Sequence, residues 1–208
     1  VAEADGQCRW AASIGISQAT LVDVGTQGWD PQRTALAMTD AIRAIEEADG
    51  GFDVMIFGNE SADTGGFQVG IRVARALGRP MVNAIKGVNI SAGIDGQGSV
   101  LEAQREIDSG MEVYRLPMPC AIGVKEGITW PRYPTMRGRL ASKKLAVDVA
   151  TSEAAPGGQT MVRLNRPEEK VSETIILGEG AAAAPAVIEL LKELGLWSEG
   201  SSKQEVGA

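Results

Sequence analysis

The sequence contains no histidine, and its only cysteines are Cys8 and Cys120. Without histidine, a Ser/His/Asp triad, an imidazole general base and a histidine-rich metal site are all excluded. The two cysteines are far apart and form no C-x-x-C motif, which fits a reducing compartment better than a disulfide framework. We therefore expect a cytoplasmic protein without a metal site.

Aromatic residues make up only 4% of the 208 residues, and no apolar run is long enough to cross a membrane. Lys and Arg number 20 against 27 Asp and Glu, which gives a net charge of −7. A chain with a pI near 4.8 is not expected to bind nucleic acid or to insert into a membrane. Its length suits one α/β core or two small ones.

The first half of the chain has the order strand, helix, strand. Thr20–Val24 is a short apolar run that ends at Gly25, as buried strands do. Asp30 and Pro31 are typical of the start of a helix. A second buried strand is predicted over Phe52–Phe57. This order predicts a βαβ unit in a parallel sheet, and so an α/β fold.

The second half of the chain begins with short segments rich in β-branched residues. Strands are predicted over Ala84–Ile90, Val100–Ile107, Met111–Leu116, Cys120–Val124 and Lys143–Val149. The Asp108–Gly110 turn between two of them indicates an antiparallel hairpin or meander.

The end of the chain is predicted to be an arm that carries a helix. Small polar residues over 150–158 indicate a linker, and Ala181–Leu194 has the composition of a helix with Pro185 in its first turn. Its apolar stripe must be buried on this chain or on a partner subunit. The predicted division is a domain over 1–149, an arm over 150–197 and a flexible tail over 198–208.

A glycine-rich segment, Gly58–Gly66, follows the second strand and leads into a helix predicted over Phe67–Leu77. Parallel sheets bind ligands at this edge, and glycines with free helix amides can receive phosphate oxygens. Asp63 and Gln68 are suited to bond ribose hydroxyls and a base edge. The alternative is an ordinary glycine-rich turn with Asp63 or Thr64 as a helix cap, because no Walker or G-x-G-x-x-G motif is present.

A loop stiffened by two prolines, Pro131–Met136, lies within a segment of reversed charge. Between Gly127 and Val147 there are five basic residues and no acidic ones, namely Arg132, Arg137, Arg139, Lys143 and Lys144. The segment is either a solvated basic helix face or, with the loop, a surface that contacts a partner.

Several of these motifs, in this order, resemble the β subunit of electron transfer flavoprotein. They are Asp63–Gly70, Arg105–Val113, Leu116–Ala121, Pro131–Met136 and Lys143–Lys144. The resemblance runs from about Arg9 to Trp197 and implies a Rossmann-like, adenine-nucleotide-binding parallel sheet with an antiparallel meander and a C-terminal helical arm. It also implies that the first βα portion of the family is absent, so we interpret the chain as N-terminally incomplete.

The resemblance implies a heterodimer with an α subunit that carries FAD. The β subunit of common members holds AMP, and a second FAD takes that place in electron-bifurcating members. The nucleotide contacts are implied for Gly58, Ser61, Asp63, Thr64, Gly65, Gly66, Phe67, Gln68, Val69 and Gly70. Phe67 and Val69 stand where the family often has Asn and Thr, so two side-chain bonds to phosphate or ribose would be lost or replaced by backbone amides.

The resemblance also implies that the proline loop docks a flavin dehydrogenase, of the acyl-CoA or a similar type, with Met136 as the apolar anchor. The docking residues would be Pro131, Arg132, Tyr133, Thr135, Met136, Arg137, Lys143 and Lys144. The implied function is electron transfer from the dehydrogenase to a quinone oxidoreductase or another acceptor, without bond chemistry by this chain. The alternatives are a bifurcating subunit with its own FAD and a stand-alone adenine-nucleotide-binding module of the universal-stress type.

Overall fold

The computed structural model describes residues 2–24, 30–62, 64–91, 98–152, 157–167 and 174–197. The described residues form two compact units, one up to Val162 and one from Arg163 onward. The first unit contains α1 (Ala2–Ser13), β1 (Ala19–Asp23), α2 (Pro31–Asp49), β2 (Val54–Gly58), α3 (Val69–Ala76), β3 (Met81–Ile85), β4 (Gly87–Ser91), β5 (Val100–Ile107), β6 (Gly110–Pro117), β7 (Cys120–Val124), α4 (Met136–Ser142) and β8 (Val147–Thr151). The second contains a 3-10 turn (Gly180–Ala183) and α5 (Ala184–Glu193).

The centre of the first unit is a three-stranded parallel sheet with the strand order β2-β7-β3. The middle strand, β7, buries Cys120, Ala121 and Ile122 almost completely. Ala121 packs with Ala74 of α3 on one face, whereas the side chains of the other face join the core formed with the antiparallel sheet. Strands covered on both faces are continuously apolar, and this explains why the Cys120–Val124 strand could be predicted from the sequence.

The predicted antiparallel meander is confirmed as a second sheet with the order β4-β5-β6. Leu101 and Ala103 of β5 are fully buried and lie opposite Leu116 and Tyr114 of β6. These side chains complete the core over β3 and β7. Residues at alternate positions of β5, such as Glu102 and Glu106, lie on the other face of this sheet, as the period of two in a strand requires.

The single strand predicted over Ala84–Ile90 is wrong, because the chain changes sheets at Lys86. Residues before Lys86 belong to β3 in the parallel sheet, and residues after it belong to β4 in the antiparallel sheet. The crossing point is crowded, since a Cβ on Gly87 would lie 2.8 Å from Oε1 of Gln104. A run of β-branched residues indicates extended backbone but does not indicate which sheet each half of the run joins.

The two strands of the predicted βαβ unit do not pair with each other. Among the described residues, β1 pairs in parallel with β8, and β2 pairs in parallel with β7. The helix between β1 and β2 is confirmed, with Asp30 as its cap and Pro31 as its first residue. Local sequence indicates a strand, but its neighbour in the sheet is chosen by contacts far away along the chain.

Two further boundaries differ from the sequence prediction. The last strand of the first unit begins at Val147 rather than at Lys143, because the residues before it belong to α4 and the turn that follows it. The helix predicted over Ala181–Leu194 is confirmed, but it begins as a 3-10 turn at Gly180 and continues as α5 to Glu193.

No helix in the described part of the chain is long and apolar enough to cross a membrane.

Gly70 is required where α3 crosses β2. A Cβ at this position would lie 2.8 Å from Cγ of Phe57 and 3.1 Å from Cε of Met81. Gly70→Ala is expected to lower the free energy of unfolding by about 1–3 kcal/mol, because overpacking outweighs the better helix propensity of alanine. Gly6→Ala in α1 is the control, since nothing lies within 4 Å of a Cβ there. It should stabilise the protein by about 0.5–1 kcal/mol.

Urea unfolding of both variants measures these changes. A Gly70→Ala protein as stable as the wild type would show that α3 can move away from β2 without cost.

Candidate functional site

A cavity of about 470 Å³ lies at the carboxyl end of β2. The start of α2, the end of β2 and the glycine-rich loop before α3 all contribute to its wall. Its lining consists of Asp30, Pro31, Thr34, Met38, Phe57, Gly58, Asn59, Glu60, Ser61, Thr64, Gly66, Phe67, Gln68, Val69 and Gly70. This is the edge of a parallel sheet at which ligands bind in open α/β folds.

Most of the sequence-predicted nucleotide residues meet at this cavity. Those in its lining are Gly58, Ser61, Thr64, Gly66, Phe67, Gln68, Val69 and Gly70. Gly65 instead lines an adjoining cavity of about 890 Å³, which shares Asp30, Pro31, Thr64, Gly66 and Gln68 with the first. Asp63 lies outside the described residues.

The sequence prediction missed the wall that α2 provides. Asp30 and Pro31 were interpreted only as the start of a helix, yet both line the cavity, as do Thr34 and Met38 one and two turns later. A signal for this wall exists, since a helix that follows one parallel strand begins at the same edge at which the next strand ends. The side chains of Asn59 and Glu60, next to the predicted residues, were also overlooked.

The glycine-rich loop is a tight turn held by its own hydrogen bonds. The Gly65 N–H donates to the Ser61 carbonyl over 2.8 Å, and the hydroxyls of Ser61 and Thr64 lie 2.5 Å apart. Gly65 has a φ of +56°, which suits glycine. Phe67 has a φ of +51°, which is uncommon for a bulky residue and stores strain directly beside the cavity.

Helix α3 begins after Gln68 without a side-chain cap. The first N–H groups of a helix have no partner within the helix, and Val69 and Gly70 of this first turn line the cavity. The Gln68 side chain is engaged elsewhere, because its Oε1 accepts hydrogen bonds from Arg72 over 3.0 and 3.2 Å. The start of α3 therefore offers backbone donors to a bound group.

Asp30 connects three parts of the site through its carboxylate. Oδ1 accepts the N–H of Gln32 over 2.7 Å and of Arg33 over 3.1 Å, which caps α2. Oδ2 accepts the N–H of Gly157 over 2.9 Å, although 127 positions separate the two residues. The side chain is nearly buried, at 8% exposure. These bonds, that from Arg33 first, lower the pKa of Asp30, so the carboxylate is charged at neutral pH.

Two features of the wall fit a bound ligand. Oδ1 of Asn59 is buried and accepts no hydrogen bond from the residues that the structure describes. An unsatisfied buried acceptor is costly, so it is suited to accept a hydrogen bond from a ligand. A Cβ added to Gly58 would have no atom within 4 Å, so there is open space at the end of β2. No group of three or more Cys, Asp and Glu side chains suited to a metal occurs in the part of the chain that the structure describes.

The proline loop and α4 form a second surface, which consists of Pro131–Arg137 with Arg139, Lys143 and Lys144. We call it the docking surface after the role predicted for it from the sequence. Tyr133 is 86% exposed and Met136, the first residue of α4, is 76% exposed. Trp130, which precedes the surface and was not predicted as part of it, is 91% exposed. All the basic side chains of this surface are exposed as well. Thr135 caps α4 by accepting the Gly138 N–H over 3.0 Å.

Helix α4 is braced against α1. A Cβ on Gly138 would lie 2.1 Å from the Ser13 carbonyl oxygen, so the two helices touch backbone to backbone at this point. Arg9 donates hydrogen bonds to the carbonyls of Ser142 and Leu145, each over 3.2 Å, at the far end of α4. Asp5 holds the Arg9 guanidinium in turn, over 2.7 Å. The exposed apolar and basic side chains therefore stand on a fixed support.

The sequence of residues 2–155, which includes the cavity and the docking surface, matches the family model of the electron transfer flavoprotein domain. This chain belongs to the electron transfer flavoprotein family. The match confirms the resemblance inferred from the motifs. It also places the chain in a family of electron transport proteins.

Three relatives illustrate the similarity within the electron transfer flavoprotein family, and each is named "Electron transfer flavoprotein subunit beta". The protein from Syntrophomonas wolfei is 30% identical over 184 residues, which cover 88% of this chain and 68% of the relative. The protein from Bacillus subtilis is 25% identical over 198 residues, which cover 91% of this chain and 73% of the relative. The protein from Mycobacterium bovis is 35% identical over 144 residues, which cover 69% of this chain and 50% of the relative.

Asp30→Asn tests how the site is held together. The variant keeps an oxygen for the cap of α2 but places an NH₂ where Oδ2 accepts the Gly157 N–H. We expect faster amide hydrogen exchange at Gly157 and a lower free energy of unfolding at neutral pH. The pKa of Asp30 lies below its ordinary value of 3.8. The stabilisation by the carboxylate is therefore complete above that value and is lost as the pH falls through the lowered pKa.

Stability curves between roughly pH 2 and 7 measure this effect. The difference between wild type and Asp30→Asn should be constant near neutrality and shrink in acid. Asp108→Asn, which makes the same exchange of carboxylate for amide in the exposed hairpin turn, is the control. The same pH profile in both variants would contradict the role assigned to Asp30.

Proposed function

We propose that this chain is a β subunit of an electron transfer flavoprotein and works as a heterodimer with an α subunit that carries FAD. Support comes from the family match and from relatives that bear this name. FAD supplies the electron-accepting and electron-donating group, so the protein needs no acid–base machinery of its own. This agrees with a chain that has no histidine.

We assign the cavity at the end of β2 to an adenine nucleotide, with AMP as the first candidate. The observation that carries this assignment is the meeting of eight predicted loop residues with the start of α2 around one cavity. The unsatisfied Asn59 Oδ1 and the uncapped start of α3 provide an acceptor and backbone donors. The nucleotide would brace the β2 edge rather than take part in electron transfer.

A second FAD, as in an electron-bifurcating subunit, is the alternative occupant. The observation that favours it is the adjoining cavity of about 890 Å³, which would give room for a dinucleotide beyond the end of the first cavity. The stand-alone module of the universal-stress type is disfavoured by the family match. Such a module would also have no use for the docking surface.

We assign the docking surface to a flavin dehydrogenase, of the acyl-CoA or a similar type. An exposed methionine is flexible and fills pockets of different shapes, which suits a carrier with several donors. The basic side chains around it stand out on a chain of net charge −7 and would speed the encounter with an acidic partner. Electrons would then leave to a quinone oxidoreductase or another acceptor.

We assign α5 to contact with the α subunit. Val187 and Leu190 are each 39% exposed, and Leu194 just beyond the helix is more exposed still. An apolar stripe of this kind requires a covering surface. In this proposal residues 1–149 form the nucleotide-binding domain, 150–197 the arm and 198–208 a tail, and the protein works in the cytoplasm.

The nucleotide content of the heterodimer tests the assignment of the cavity. The complex is denatured and its released nucleotides are separated by chromatography. We expect one FAD and one AMP per heterodimer, or two FAD if the chain is of the bifurcating type. A heterodimer that releases FAD from the α subunit and no second nucleotide would contradict the proposed site.

Met136→Ala tests the docking surface. The variant should slow electron transfer from the dehydrogenase by about tenfold, because truncating a buried interface anchor costs more than about 1 kcal/mol. The flavin content should stay the same. Met111→Ala is a matched control, since Met111 is also exposed, at 55%, but lies on the β5-β6 hairpin. Equal rates in the wild type and in Met136→Ala would remove Met136 as the anchor.

A further inference from the structure

The described lining of the cavity at the end of β2, which we call the nucleotide cavity, contains acidic side chains but no basic ones. Among its described lining residues, and among those of the adjoining cavity, there is no Lys or Arg. Asp30 and Glu60 are the charged residues of the first lining, and both are acidic. The neighbouring stretches that the structure does not describe, residues 25–29, 63 and 153–156, contain no Lys or Arg in the sequence either.

The start of α2 is not free to bind an anion. The N–H groups of Gln32 and Arg33 already donate to the Asp30 carboxylate, which takes the place that a phosphate would occupy at this helix end. A lowered pKa keeps this carboxylate charged at neutral pH. A phosphate brought to this wall would therefore meet a negative charge rather than a set of donors.

Arg33 of α2 and Arg72 of α3 both lie within two residues of the cavity lining in sequence, but neither is part of that lining. Arg72 makes its hydrogen bonds outside the cavity. Its guanidinium donates to Oε1 of Gln68, and its side chain lines a separate groove between α2 and α3, together with Leu36, Ile71 and Arg75. By occupying Oε1, Arg72 leaves the NH₂ of Gln68 as the group that remains to contact a ligand. Arg72 thus orients a donor for the ligand and does not itself line the cavity.

The remaining groups of the wall match a nucleoside. The Glu60 carboxylate and the buried Asn59 Oδ1 are acceptors for hydrogen-bond donors on the ligand. Ribose hydroxyls and an exocyclic amine are such donors. Apolar wall area for a flat base comes from Met38, Phe57, Phe67 and Val69. The donors that the described wall offers to an anion, which are the first amides of α3 and the Ser61, Thr64 and Gln68 side chains, are all uncharged and cannot form an ion pair with a phosphate.

We propose that this cavity recognises its nucleotide through the nucleoside half, and that the phosphate adds little to the affinity. Adenosine then binds about as tightly as AMP. The proposal rests on the assignment of the cavity to an adenine nucleotide, and it specifies which part of that ligand the protein reads. It applies equally to the adenosine end of a second FAD.

Calorimetric titration of the heterodimer, freed of its bound nucleotide, with adenosine and with AMP tests the proposal. The two dissociation constants should agree within about threefold, and the constant for AMP should change less than about threefold between 50 and 500 mM salt, because no ion pair is there to be screened. AMP that binds more than about tenfold tighter than adenosine, with a strong salt dependence, would overturn the proposal and leave the nucleotide site standing. Binding of neither compound would overturn both.

One possibility remains, namely that Arg72 turns away from Gln68 and binds the phosphate when AMP is present. The variant Arg72→Ala tests this possibility. The expected result is an unchanged ratio of the AMP and adenosine affinities, even if both affinities fall because Gln68 loses its orientation. A selective loss of AMP affinity in Arg72→Ala, but not in the control Arg75→Ala on the same helix, would show that Arg72 binds the phosphate and would refute the proposal.

Discussion

The backbone of β7 donates and accepts hydrogen bonds along both of its edges, to β2 on one side and to β3 on the other. Its side chains are buried on both faces, by α3 and by the antiparallel sheet. Because β7 fixes the register of β2, it also fixes where β2 ends, and the cavity that we assign to a nucleotide lies at that end. A five-residue strand with little accessible surface therefore positions the functional edge of the molecule.

The cavity and the docking surface are built on different physical principles. The cavity depends on one carboxylate, Asp30, which caps α2 and binds Gly157 and so joins two distant parts of the chain. The docking surface depends on close backbone contact, because Gly138 allows α4 to lie directly against α1. The first is a partly enclosed cavity whose charged lining residues are acidic. The second is an open basic surface with exposed apolar side chains, suited to rapid and reversible protein contact.

Local elements were predicted where a short segment carries its own signal. The helix after Asp30 is one case, because the cap and Pro31 act within a single turn. The β5-β6 hairpin is another, since its turn residues lie directly between the strands. The prediction was wrong where pairing is nonlocal: the change of sheet at Lys86, and the separation of β1 from β2. The α2 wall was missed because Asp30 has a sufficient local role as a cap, which conceals its contact with Gly157.

The sequence by itself determined the family, the element types and the loop residues that surround the cavity, because these follow from motifs and from hydrophobic periodicity within short stretches. Tertiary structure alone decided the composition of the cavity wall. Residues 30–38 and 57–70 are separated in the chain, and only the shared edge of a parallel sheet brings them together. The absence of histidine limits the chemistry of the chain, but the absence of a cation from the described cavity wall emerges only when the folded chain brings some side chains there and leaves Arg72 and Arg75 outside.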